Sequence, residues 1–289
     1  MELQNVIDST ITGTGADRVG DRIDLGKWTI DLHDTLHVAK GVHGVHLDGR
    51  GRATRIRWLG PDDVPVFCFT DGNGCQLSNL SVELVNRASI LVQMSDSGDG
   101  PIRSSGNVLR NIYVPDASER LGTFWRIGGG KDNKNDFMRG YDLDVSGCEV
   151  GVVVEGRNSV NHELYGCQFK GRTGGKVGIR TIDGGSVRMF GGSLNQFAAS
   201  DLPANGEIIR YSGGTLVVRG CWFWTSTPNE TEYRFRYTTT QTLGDFIFED
   251  CRVRAKNEGG HWPGLPPNSV RGSLLHAGPP NQPVPMPPT

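Results

Sequence analysis

Asp144, Glu163 and Arg188 are the side chains whose spacing best suits shared chemistry. Each stands one position before an inward apolar residue of a recurring six-residue unit. Stacked copies of the unit then set them on one outward line: Val108, Asp144, Glu163, Arg188, Val217 and Ile247. Two carboxylates one coil apart can divide their roles, one held protonated by the charge on the other. That division is what acid–base cleavage of a glycosidic bond needs. An arginine beside them can bind an acidic group or stabilise developing charge. The same residues also suit a solvated ladder of ion pairs, each worth little. His162 is a further candidate base, but it falls out of phase with Glu163 and is expected inward or at a corner.

A second line runs just past the corner of the unit: Tyr113, Glu149, Gln168, Ser193, Trp222 and Arg252. Aromatic rings, a carboxylate and an amide are what a sugar-binding groove displays. A wet face packed against a loop or a second subunit would carry them equally well. Phe223 points inward by alternation, which leaves Trp222 and Trp224 outward and suggests a covered surface. The candidate catalytic residues are therefore Asp144, Glu163, Glu149 and Arg188. The candidate binding residues are Tyr113, Gln168, Trp222 and Trp224.

No cofactor and no metal are expected. The loop Gly128-Gly129-Gly130-Lys131-Asp132-Asn133-Lys134-Asn135-Asp136 lacks the Gly-Lys-Ser/Thr ending of a nucleotide loop and the acidic spacing of a calcium loop. It reads as a surface turn. Cys148, Cys167, Cys221 and Cys251 recur at one position of the unit, without histidines at ligand spacing. Stacked in this way they read as free thiols inside the core, with Cys148 beside Cys167 and Cys221 beside Cys251.

The unit that positions these residues is apolar, any, turn residue, small or apolar, any, apolar. Its copies begin at Leu77, Leu109, Val145, Leu164, Met189, Val218 and Phe248. The third place is always Asn, Gly or Asp, the residues that tolerate a left-handed backbone. One such residue turns a strand through a corner with no loop, and the apolar residues on both sides then face inward. Repetition on this scale predicts a solenoid. The fold class is all-β, a single-stranded right-handed parallel β-helix with a proline-rich C-terminal segment. Residues 1–40 read as an entry or capping segment with room for a short helix, 41–258 as the β-helix and 259–289 as a proline-rich tail.

Bulk properties agree. Glycine at 41 of 289 residues, without a three-residue period, means many turns rather than collagen. A net charge of -2 speaks against a general nucleic-acid binder. The short run Arg50, Arg52, Arg55 and Arg57 reads as a solvated strand face. No apolar stretch is long enough to insert in a membrane as a helix. Met1-Glu2-Leu3-Gln4-Asn5 lacks the regions of a signal peptide.

Gly41-Val42-His43-Gly44-Val45-His46-Leu47-Asp48-Gly49-Arg50-Gly51, the following Thr54-Arg55-Ile56-Arg57-Trp58 and the lead-in Gly26-Lys27-Trp28-Thr29-Ile30 join the coil pattern in a family resemblance. The chain resembles the pectate-lyase-like family of right-handed β-helices, in the form taken by bacteriophage tailspike and tail-fibre proteins. The resemblance spans about residues 20 to 255. It implies a homotrimer on a virion tail that binds a cell-surface polysaccharide, with cleavage left open. Other readings are a free-standing polysaccharide lyase or glycoside hydrolase, secreted without a visible signal peptide or cytoplasmic, and a structural subunit without activity. The clustered aspartates of the family's calcium-dependent lyases and the Asn-Thr-Asp motif of its pectin hydrolases have no counterpart here.

Overall fold

In a computed structural model the chain winds as a right-handed parallel β-solenoid. The structure describes residues 2–98, 104–117, 120–129, 134–171, 177–195, 207–224, 235–237, 244–255, 270–271 and 274–277. Each coil contributes strands to three ladders. The first holds Arg22–Asp24, His46–Asp48, the start of Gln76–Leu84, the start of Val108–Val114, Arg139–Tyr141, His162–Tyr165, Val187–Phe190, Gly214–Arg219 and Gly244–Glu249. The second follows across a corner, from Thr29–Leu32 to Arg252–Ala255. The third holds Leu36–His43, Val64–Asn73, Ala88–Ser95, Leu121–Ile127, the end of Asp144–Glu155, Val177–Ile182, Glu207–Tyr211 and Phe235–Tyr237. Short strands Val270–Arg271 and Leu274–Ala277 extend the first and second ladders. The prolines of the C-terminal segment lie outside the described residues.

The corner chemistry matches the repeat. Asn79, Asn111, Gly147, Gly166, Gly191, Gly220 and Asp250 all have positive φ, from 51° to 88°. A left-handed backbone costs an ordinary L residue roughly 1–2 kcal/mol, so Gly, Asn and Asp recur there. The core is a set of like-on-like columns. Leu47, Leu77, Leu109, Gly140, Leu164, Met189, Val218 and Phe248 are in register before the corner, and their side chains are buried.

That column corrects the repeat at one place. The first-corner copy for this coil is Gly140-Tyr141-Asp142-Leu143-Asp144-Val145, with Asp142 left-handed at φ 52°. The copy read at Val145 belongs to a different bend, since Cys148 is in register with Leu121 and Gly171. Glycine stands in the apolar place because the ring of the buried Trp125 fills it. A Cβ at Gly140 would come within 2.9 Å of that ring and 2.8 Å of Leu143. Cys148 is consequently not stacked on Cys167. All six cysteines are free and buried.

A helix, Leu3–Thr10, packs Ile7 against the first coil. Gln4 pairs with both backbone groups of His37, accepting from N–H at 2.9 Å and donating to C=O at 3.2 Å. Edge groups of the first third-ladder strand are thereby satisfied. Arg50 and Arg57 pair with Asp24 and Asp31, which makes their stripe an ion-pair ladder. No described helix is long and apolar enough to cross a membrane.

Candidate functional site

The register separates the two carboxylates expected to work together. Arg139, not Asp144, shares the line with Val108, Glu163, Arg188 and Val217. Glu163 therefore sits between two guanidiniums, 3.5 Å from Arg139 and 3.9 Å from Arg188. Asp144 lies across the corner, in the line Tyr113, Asp144, Gln168, Ser193, Trp222 and Arg252. There Arg52 reaches it at 4.0 Å and covers the Tyr113 ring at 3.7 Å. Glu149 belongs to neither line; it is half-buried on the stretch between Cys148 and Val150.

Of the expected binding residues, Gln168 is exposed and Trp222 is 57% exposed, with Arg252 over its ring at 5.2 Å. Trp224 is in register with Asn195 and Arg254, and its side chain lies outside the described residues. An unforeseen aromatic column stands two positions past the Glu163 line. Tyr141, Tyr165 and Phe190 stack at 5.3 and 5.2 Å, and Arg110 covers Tyr141 at 4.7 Å. These rings spend their faces on one another and leave mainly edges and hydroxyls outward.

His162 is fully buried at the corner between the third and first ladders. Burial pushes its imidazole down to about 3, so it is neutral.

The third ladder carries an outward column that spacing along the chain did not reveal. Gln93, Arg126, Val153, Arg180, Arg210 and Arg236 are in register. Coils are about 4.8 Å apart, so Arg180 and Arg210 place like charges on successive rungs. Arg126 is held by Glu155 at 2.6 Å. Gly129 lies under its guanidinium, where a Cβ would come within 3.2 Å. Val153 is a nearly buried apolar spacer. Among the described residues Arg180 has no ion pair and no hydrogen bond, although its Nε is buried. A buried donor on a charged group without an acceptor is costly.

Below this column lies the pair of carboxylates that does share an environment, Asp71 and Asp96. Burial first, and the neighbouring Asp71 second, push the Asp96 carboxyl above its ordinary value. Both are buried and committed to one turn. Asp71 accepts from Ser97 N–H at 2.8 Å and from its hydroxyl at 2.5 Å, and Asp96 accepts from Gly98 N–H at 2.7 Å. Asp96 is 3% exposed, so the pair clasps a loop and offers no face to a polymer. Among the described residues no group of His, Cys, Asp and Glu converges to hold a metal ion.

The arrangement suits recognition of negative charge along a line. No family model, curated protein or solved structure matches this chain.

Proposed function

We propose that the protein binds an acidic polysaccharide laid along the solenoid axis across the third ladder, as a tailspike-like receptor-binding component. The observation that carries this reading is Arg180, a half-buried guanidinium without a partner, in register with Arg210. A carboxylate or sulfate on the polymer supplies the missing acceptor through charge-assisted hydrogen bonds. One charge per coil, at about 4.8 Å, suits an extended pyranose chain. Binding is favoured over cleavage because Glu163 is bracketed by arginines and the Asp71–Asp96 pair is sealed. In the same reading three copies assemble into a spike, which sedimentation equilibrium of the purified chain checks.

The test is affinity for a panel of acidic and neutral polysaccharides, with single-stranded DNA as a competing polyanion. Acidic glycans should bind, more weakly as salt rises, and Arg180→Ala should cost tenfold or more, about 1.4 kcal/mol. Equal binding of neutral glycans, preference for DNA, or an Arg180→Ala variant of unchanged affinity would overturn the reading. Unsaturated or saturated fragments among the products would turn it into a lyase or a hydrolase.

A further inference from the structure

The corner between the third and first ladders has a left-handed column of its own: Gly44, Gly74, Gly106, Phe137 and Asn161, with φ from 55° to 69°. Backbone hydrogen bonds link its members coil to coil. Gly106 N–H bonds to the Asp136 carbonyl, and Phe137 N–H to the Val160 carbonyl at 3.2 Å. The next coil omits the corner residue. Ser186 N–H bonds to Ser159, and Val187 pairs with His162, so nothing stands above Asn161. That one-residue shortening opens a cavity of about 170 Å³ between Asn161, Ser186, Arg188 and Thr215. At about 30 Å³ per water, it holds roughly six waters or a single six-membered ring.

The polar groups converge on one kind of guest. Among the described residues Arg188 is anchored only by its long, 3.9 Å pair with Glu163. Ser186 Oγ accepts from Thr215 N–H at 2.9 Å and keeps its own proton to donate.

We infer that this cavity takes one carboxylate-bearing sugar unit, with its carboxylate on Arg188 and its hydroxyls on Asn161, Ser186 and Thr215. The ligand class rests on the glycan reading above, but the residues lie on another part of the surface, so the two can fail separately. A branch of a chain lying over Arg180 reaches this corner six residues further along the same coil.

The test is calorimetric titration of the full chain with glucuronate, and with glucose as the uncharged control. Glucuronate should bind saturably and at least tenfold more tightly than glucose. Arg188→Ala should abolish that preference. Asn161→Gly suits the left-handed corner, so it should weaken glucuronate several-fold while the unfolding midpoint holds or rises. Arg180→Ala should leave glucuronate binding unchanged even as it loses the polymer. Equal affinity for the two sugars, no glucuronate binding, or an Asn161→Gly variant of unchanged affinity would each overturn the inference. Glucuronate binding in the cavity without any polymer binding would sink the third-ladder reading alone.

Discussion

The imidazole Nδ1 of His162 accepts a hydrogen bond from the backbone N–H of Met138, 3.2 Å away in the preceding coil. Asn107 does the same for Cys75, with its side-chain oxygen 2.9 Å from that N–H. Both N–H groups follow a left-handed residue, Phe137 in one case and Gly74 in the other. The corner turns these donors inward, where a buried donor must find a partner. Because Nδ1 accepts, the ring proton sits on Nε2, which donates to Ser159 Oγ at 3.0 Å.

Stability should therefore depend on pH through His162. Burial holds it down at about 3 in the folded chain, below the 6.5 of a free imidazole. The unfolded chain takes up the proton first as pH falls. Stability is complete above pH 6.5 and is lost between 6.5 and about 3, by up to about 1.4 kcal/mol per pH unit. His162→Asn should keep the acceptor, as Asn107 does, and flatten that slope. His162→Ala should cost about 2–4 kcal/mol. Urea titrations at pH 4.5 and 7.5 distinguish the three chains; a slope surviving in His162→Asn would assign it to other groups.

Asn111 tests the first corner. It is left-handed, and its amide donates to Asn79 at 3.0 Å on the exposed edge. Asn111→Gly should fall within about 1 kcal/mol of the parent, whereas Asn111→Val should lose about 2 kcal/mol or more. Thermal melts of the two variants give the difference directly.

Arg180→Ala separates binding from folding. Removing a partnerless guanidinium should leave the unfolding free energy within about 1 kcal/mol of the parent. Chemical denaturation checks this. A large destabilisation would mean that the side chain supports the coil rather than a ligand.

Cys68, Cys75 and Cys167 should be inert in the native protein. Burial pushes the thiols of Cys68 and Cys75 to about 11 and that of Cys167 to about 12. The thiolate is the reactive form. A thiol reagent at pH 8 should label these positions only after denaturant is added, with mass spectrometry as the readout.

The sequence revealed the fold because a corner of one left-handed residue forces the alternation to skip a beat, as at Leu77-Ser78-Asn79-Leu80. It hid one coil because Gly140 stands where an apolar residue is expected, its volume supplied by Trp125 from another ladder. The next apolar run, from Val145, then mimicked the missing copy. This displaced Asp144 into the Glu163 line and brought Glu149 into the other. The arginine column could not be read at all. Arg126, Arg180 and Arg210 follow turns of unequal length, and register is created only by stacking. Arg188 and Glu163 are legible as neighbours because each stands immediately before a copy of the unit, at Met189 and Leu164.

The clasp between Gln4 and His37 gives the molecule a polarity. Both backbone groups of His37 are taken by a side chain of the same chain. A second copy cannot add a rung there without first displacing the helix Leu3–Thr10. At His37, a strand added to this rim must therefore compete with Gln4 for both backbone groups.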